Sequence, residues 1–302
     1  MEMIRYRKKT ANDMIFDIGV AVLAVLSFLI VAYPLYFICI ASISDSTLVA
    51  TGKVLLFPKG ISMFGYKEIL GDSRIWTGYR NTIVYTLLGT FVNLLFTLPA
   101  AYALSRPEFR ARRFLMFMFV ITMFFSGGLI PTYLLIKGLH MTNTMWVFIF
   151  PFCVNVFNLI ITRTFFETSL PKELYEAASI DGCSHFKFFS SVALPLSRAV
   201  VSVIALYYLV AHWNDFFTAL VYIRDNELQP LQIILRDILL SNQVFEGGAG
   251  GGGGGASGGY AQQFADQIKY GVILVSTLPI LIVYPFIQKY FEKGVMIGSV
   301  KG

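Results

Sequence analysis

Charge vanishes from this chain in long, regularly spaced stretches. No Asp, Glu, Lys or Arg occurs between Asp17 and Asp45, Arg80 and Arg106, Arg113 and Lys137, Lys137 and Arg163, or Lys269 and Lys289; each gap holds 19 to 27 residues. A sixth apolar run begins after Arg198 and reaches Ile223, interrupted only by Asp215. About 20 apolar residues rising ~1.5 Å each cross a hydrocarbon layer of ~30 Å. The pattern predicts six spans, at about 17–44, 80–105, 114–137, 143–165, 197–223 and 269–289. A backbone in lipid must satisfy its own hydrogen bonds, so the spans are expected to be helices. An outer-membrane barrel would instead need many short alternating segments. The expected fold class is an all-α polytopic membrane protein with six transmembrane helices in a single membrane-spanning domain, residues 1–302.

Composition agrees with that pattern: 56% of residues are hydrophobic and 14% charged, where a soluble domain carries about 25% charged. "MIRYRKK" before the first span resembles a signal-peptide start. The apolar core behind it is too long for one and ends in no small-residue cleavage site, so it reads as a retained first helix. Basic residues are densest in "RYRKK" and "SRPEFRARR". With the N-terminus inside, the inner segments hold 15 basic residues and the outer ones 9, which favours both termini in the cytoplasm. That bias also accounts for the net charge of +6 without a nucleic-acid partner. Cys39, Cys153 and Cys183 are far apart and form no Cys-x-x-Cys pair. His140, His185 and His212 are equally scattered. No metal centre and no catalytic residues are expected. No Gly-Lys-Ser/Thr phosphate loop occurs either, so any ATP and Mg would be bound by other subunits and no cofactor by this chain.

Between the fourth and fifth spans lies an inner loop, 167–196, with an unusual amount of helix chemistry. Pro171 suits a first helical turn. Glu173 and Glu176 complement the dipole of that turn, and Leu170, Leu174, Ala177 and Ala178 share one face. Gly182 stands where a helix end wants a left-handed residue. Ser184 can cap a second short helix carrying Phe186, Phe189 and Val192, which Pro195 closes. Two short helices pinned at a glycine, with a small-residue face, make a docking element. The other reading is an amphipathic pair on the inner lipid face, which Glu173, Glu176 and Asp181 would oppose against anionic headgroups.

The outer segment 224–268 contains "GGAGGGGGGASGG" at 247–259, ten of its residues glycine, a composition expected to form a disordered spacer. In the fifth span, Tyr207 and Tyr208 fall roughly 14–15 Å beyond Arg198, near the midplane, and Asp215 about 26 Å beyond it. Aromatic and polar side chains there could line a pathway. Packing tyrosines and an interfacial Trp213 are the plainer alternative; Asn214 with Asp215 is a polar pair that should face a cavity or a partner.

The inner loop resembles one known family closely. Glu176-Ala177-Ala178, then Gly182, then Val192 and Leu194-Pro195 match the EAA motif of bacterial ABC importer permeases at every spacing, with Val where the motif has Ile. "LPAAYALSRPEFRARR" (98–113) and "WNDFFTAL" (213–220) are similar to segments of the MalG-like carbohydrate permeases. "FSGGLIPTYLLIKGL" (125–139) and "YPFIQKYFEKGVMIGSVKG" (284–302) look like the subset serving complex oligosaccharides. The resemblance implies a type I ABC importer permease fold in a bacterial cytoplasmic (inner) membrane. It implies a transporter subunit and not an enzyme, forming the pathway with a second permease, beneath which two ATP-binding subunits sit. An extracellular or periplasmic solute-binding protein would deliver an oligosaccharide. Carried over residue by residue, ATPase coupling would fall to Glu173, Glu176, Ala177, Ala178, Asp181, Gly182, Phe186, Leu194 and Pro195. The pathway candidates are Tyr207, Tyr208, Trp213, Asn214 and Asp215, although in such systems the other permease holds most sugar contacts. The outer segment would reach into the binding protein, or be an inert tether. An amino-acid or phosphonate permease is the alternative within the family. A secondary carrier is the alternative outside it, but it would need ionisable residues at the midplane.

Overall fold

The computed structural model describes residues 11–248, 268–282 and 285. Among these residues all regular structure is helical. They group into two units: residues up to Ile69 with Leu239–Val275, and Leu70–Ile238 with those from Ser276 onward.

In the first unit, α1 (Ala11–Ser42) is apolar on every side and exposed along most of its length, as suits a helix facing lipid or another subunit. Only its end is covered. Ile40 and Ala41 pack with Val49 and Val54, against which Tyr270 also rests. A short α2 (Ser46–Ala50) follows, capped by Asp45, whose carboxylate accepts from Thr47 N at 2.9 Å and Leu48 N at 3.3 Å. Next comes α3 (Phe64–Gly71).

The second unit is built around α4 (Ser73–Ser105), against which α7 (Val156–Ser169) and α11 (Arg198–Trp213) pack. Helix α4 starts at Asp72, which accepts from Arg74 N at 2.9 Å. It ends before Pro107, which disfavours helical backbone at Arg106. Its amphipathicity is inverted. Gly78, Thr82, Thr86, Gly89, Asn93, Thr97 and Ala101 are buried, three or four residues apart, while Leu87, Phe91 and Leu95 face outward. Small residues let helix backbones approach closely inside a membrane, where apolar side chains gain nothing by leaving lipid.

The inward polar groups tie α4 to the rest of the unit. Asn81 Nδ2 donates to the carbonyls of Glu227 (2.7 Å) and Gln229 (3.0 Å), and Tyr85 donates to that of Leu228 (3.1 Å). Leu231 N donates to Thr82 Oγ1 at 2.8 Å. Lower down, Thr97 Oγ1 meets the Tyr208 hydroxyl at 2.7 Å, and that hydroxyl accepts from Asn155 N at 3.0 Å.

Three of the expected spans are not continuous helices. The 114–137 span is α5 (Arg112–Phe124) and α6 (Leu129–Gly138), bent by 117°. Gly127 and Gly128 weaken the helix there, Gly128 takes φ +84, and Pro131 has no N–H to bond back across the break. The 143–165 span opens as a 3-10 turn (Met145–Phe148) and irregular backbone through Pro151, and becomes helical only at α7. Asn143 pins its start: its N–H donates to Tyr222 O (2.9 Å), and its side-chain oxygen accepts from the N–H groups of Arg224 (3.0 Å) and Asp225 (2.9 Å). The 197–223 span breaks after α11 at Asn214–Phe216 and resumes as α12 (Phe217–Tyr222). Among the described residues, the helices long and apolar enough to cross a membrane unaided are α1, from Asn12, and α4, which begins about two turns before the expected Arg80 boundary.

The outer segment also differs from a simple loop. Its residues Leu231–Gly248 form α13, whose first turns are buried at Leu231, Ile233, Ile234 and Leu235. The helix takes in the first two glycines of the 247–259 tract; the remainder of the tract lies outside the described residues. The sixth expected span appears as α14 (Ile268–Ile282), with 283–289 outside the described residues except 285.

Gly78 is held to its size by this packing, since a Cβ there would lie 2.7 Å from Ile234 Cδ1 and 3.0 Å from Leu231 Cα. Gly78→Val should therefore destabilise the purified protein by about 1–3 kcal/mol, read as a lowered thermal unfolding midpoint. An unchanged midpoint would contradict the close packing of α4 on Leu231.

Candidate functional site

The 167–196 segment folds as an elbow. Helix α8 (Lys172–Ile180) ends in a paired backbone closure. Gly182 N donates to Ser179 O at 3.0 Å, and Cys183 N to Ala178 O at 2.9 Å. This is the Schellman arrangement, which requires a left-handed residue, and Gly182 supplies φ +76. Ser184 then caps α9 (His185–Phe188), its hydroxyl accepting from Lys187 N at 3.3 Å. The chain stays helical beyond α9, through a π turn (Phe189–Ala193) and α10 (Leu194–Leu196). It bends by 84° only at Ser197, where α11 begins. Two expected details shift as a result. Pro171 stands at the N-cap, just outside the first turn, and Pro195 lies inside the second helical run instead of closing it.

The elbow has an open side and a rooted side. Glu173, Glu176, Ala177, Asp181 and Gly182 are exposed, with Leu174 beside them. Ile180 is 87% exposed and Phe186 78%, far more than side chains of that size hold when already packed. Ala178, grouped with Ala177 by spacing, turns inward and is half-buried, as is Leu194. Pro195 is exposed.

Phe188, Tyr102 and Phe166, which spacing alone did not single out, hold the rooted side together with Phe189. Phe188 is fully buried, with Phe189 beside it, in a core shared with Leu98, Ala101 and Tyr102 of α4 and Leu159 and Phe166 of α7. Tyr102 centres this cluster, 5.0 Å from the Phe189 ring and 5.9 Å, edge-on, from Phe166. Arg106 lies over its face at 4.8 Å. Across the bend, Tyr175 stacks on His185 at 4.8 Å, meets Phe188 edge-on at 5.2 Å, and its hydroxyl contacts His185 Nε2 at 2.9 Å. The two arms are thereby joined directly as well as through Gly182.

The pathway candidates separate. Tyr208 and Asp215 line one cavity of about 300 Å³, together with Asn93 and His212. Tyr207, on the same helix, lies outside it and is 44% exposed. Trp213 belongs to no surface belt; it is buried, and its indole N–H donates to Ser276 O at 3.0 Å. Asn214 caps its own helix, donating from Nδ2 to Val210 O at 2.9 Å. Asp215 Oδ1 accepts from Thr218 N at 3.0 Å, starting α12. His212 and Asn93 were missed by sequence reasoning, although a lone Asn among apolar residues and a His one position before the Trp-Asn-Asp segment were visible signals. Among the described residues no group of three His, Cys, Asp or Glu is arranged to hold a metal ion.

Comparison with known sequences is decisive at the level of family. Residues 75–297 match the family described as "Binding-protein-dependent transport system inner membrane component". The chain belongs to this family. It is 39% identical to "Protein LplC" of Bacillus subtilis (strain 168), over all of both chains. It is 37% identical to "Polygalacturonan/rhamnogalacturonan transport system permease protein YtcP" of the same organism, over 96% of this chain and 100% of that one. Among solved structures it resembles a chain of the "Crystal structure of a bacterial ABC transporter involved in the import of the acidic polysaccharide alginate". There the TM-score is 0.82 at 33% identity, covering 94% of this chain and 99% of the other. The helical architecture described above is therefore that of an ABC importer permease.

The root of the elbow makes a quantitative statement. Phe188→Ala removes a fully buried ring from the α4–α7 core and should cost about 3–5 kcal/mol. Hydrogen exchange should show α8 and α9 losing protection together, while α13 keeps its own. Equal loss throughout the chain would contradict a local anchoring role.

Proposed function

We propose that this chain is a transmembrane permease subunit of an ATP-driven, binding-protein-dependent importer of sugars, with oligosaccharides as substrates. It forms the pathway with a second permease subunit, as a heterodimer, in the bacterial cytoplasmic membrane. The chain crosses that membrane six times with both termini inside; the broken helices at 112–138 and 198–222 then each count as one span. ATP is bound and hydrolysed by two separate subunits. A solute-binding protein outside delivers the sugar. The family supports the transport role, and the named substrates of its relatives, polygalacturonan/rhamnogalacturonan and alginate, support a sugar chain over an amino acid or phosphonate.

The observation that carries the reading is the elbow at 172–196. Its outer arm offers unpaired apolar side chains, Leu174, Ile180 and Phe186, among acidic ones, which suits a protein cleft better than anionic lipid. Its inner arm is packed under α4 and α7 and runs into α11 through Ser197, which is fully buried. An ATPase subunit gripping Glu173, Glu176, Ala177, Asp181, Gly182 and Phe186 would therefore move the three packed helices of the pathway without a slack joint between. Ala178, Leu194 and Pro195 belong to the lever itself, at its inner arm and end. A secondary carrier would have no use for such a lever.

The test is Gly182→Asp. The left-handed backbone strains any side chain there, although the space around Gly182 is open, and the added charge sits on the docking arm. The variant should reach the membrane in normal amount yet lose oligosaccharide uptake and the ATP hydrolysis coupled to it. Uptake at the wild-type rate would overturn the coupling assignment.

A further inference from the structure

Two of the breaks in the helices converge. The irregular backbone before α7 contributes Phe152 and Asn155 to the cavity beside Tyr208, and the break after α11 contributes Asp215. Non-helical backbone inside a membrane protein is tolerated where it is buried in protein or lines a cavity, because elsewhere its N–H and C=O groups have no partner. Two interruptions meeting at one cavity are what a binding site needs and what simple packing would avoid.

Two further observations point to a ligand. Phe152 has a left-handed backbone, φ +61, and its ring is 76% exposed. A bulky residue in that region is strained, and such strain persists where the surroundings enforce it, often at ligand sites. Asn93 is 4% exposed, and its Oδ1 has no hydrogen-bond partner. Its Nδ2 contacts His212 Nε2 at 3.3 Å. His212 fits there because position 89 is glycine: a Cβ on Gly89 would lie 2.5 Å from the imidazole. The site thus holds a buried acceptor, an imidazole fixed beside it, the Asp215 carboxylate and an aromatic face, with no Lys or Arg in its wall.

We propose that this cavity is a saccharide subsite that this subunit itself contributes, holding one sugar ring by its hydroxyl groups. The ring's C–H face lies on Phe152, and its hydroxyls donate to Asn93 Oδ1 and Asp215 and bond to His212. At about 300 Å³ the cavity stands at the small end of ligand pockets, the size of one ring of a longer chain. Without a cation in the wall, a ring carboxylate would meet Asp215 unbalanced, so recognition here is of hydroxyls and not of acidic groups. Tyr208 is a positioning residue, since Thr97 and Asn155 already engage its hydroxyl. The inference rests on the importer reading and deepens it.

The test uses the whole importer, reconstituted in vesicles with its second permease, ATPase subunits and binding protein. The probes are radiolabelled raffinose, arabinotriose and trigalacturonate. Phe152→Gly removes the ring while relieving the backbone strain, and Asn93→Leu removes the acceptor at similar volume. For raffinose or arabinotriose, whichever the wild type moves, sugar imported per ATP hydrolysed should fall about tenfold in both variants, and Phe152→Trp should restore it. Wild-type ratios in both variants would overturn the subsite and leave the importer reading intact. So would a Phe152→Trp importer as impaired as Phe152→Gly. Failure of the wild-type assembly to move any of the three would instead overturn the oligosaccharide reading beneath it.

Discussion

The second unit depends on α4 being polar inside and apolar outside. In lipid, apolar side chains gain nothing by packing against each other instead of against acyl chains. Cohesion has to come from close backbone approach and from hydrogen bonds that no lipid can replace. Helix α4 supplies both along one stripe. Gly78 and Gly89 admit neighbours to within a Cβ's reach, and Asn81, Thr82, Tyr85, Asn93 and Thr97 bond to the 227–231 segment, to α11 and, through Tyr208, to the start of α7. Sliding α4 by one residue would turn that stripe by about 100° and strand every one of these groups. The register of the unit is set there.

The same helix links the elbow to the cavity. Its inner end carries Tyr102, around which Phe188 and Phe189 of the elbow and Phe166 of α7 are arranged. Eleven residues earlier, Phe91 faces out, but Asn93, nine earlier, faces the cavity. About 14 Å of α4 therefore separates the elbow's root from the cavity, with Pro99 between them removing one helical bond. A dense aromatic joint at one end and a polar contact at the other, on the same helix, give a displacement of the elbow somewhere definite to go.

Much of the elbow was legible in the sequence because its chemistry is local. A left-handed glycine, a serine cap and a first-turn glutamate each declare themselves within three or four residues, and the structure realises all three. What anchors the elbow was not legible, because Phe188, Tyr102 and Phe166 are remote in sequence and identical in kind to the outward-facing phenylalanines around them. The spans show the opposite failure. Counting charge-free residues finds membrane-compatible segments but ignores the backbone, so Gly127-Gly128 with Pro131, and Pro151 with Phe152, were absorbed into spans that break at those points. The polar pair Asn214–Asp215 was read as facing a cavity or a partner, and Asp215 does line the cavity, but the break in the helix at that pair was not read from it. Trp213 was misleading because an indole at a span end fits a surface belt as well as a buried hydrogen bond, and only the approach of α14 separates the two.

The breaks also bear on how such a unit can move. A continuous helix transmits displacement but resists bending, because bending breaks its i to i−4 bonds. Here the helices that carry the elbow's root, α4 and α7, have no break where they meet it, although Pro99 removes one bond from α4. The interruptions lie instead at Gly127–Gly128, before Asn155, and at Asn214–Phe216. At each of these three points a nearby side chain meets one backbone N–H: Ser126 accepts from Gly128 N, Asn155 from Asn158 N, and Asp215 from Thr218 N. Side-chain caps of this kind can be kept while the flanking helices change angle, whereas helical bonds cannot. The breaks before Asn155 and at Asn214–Phe216 thus border the cavity and not the elbow, the order required if motion begun at the elbow is to be expressed where a solute would pass.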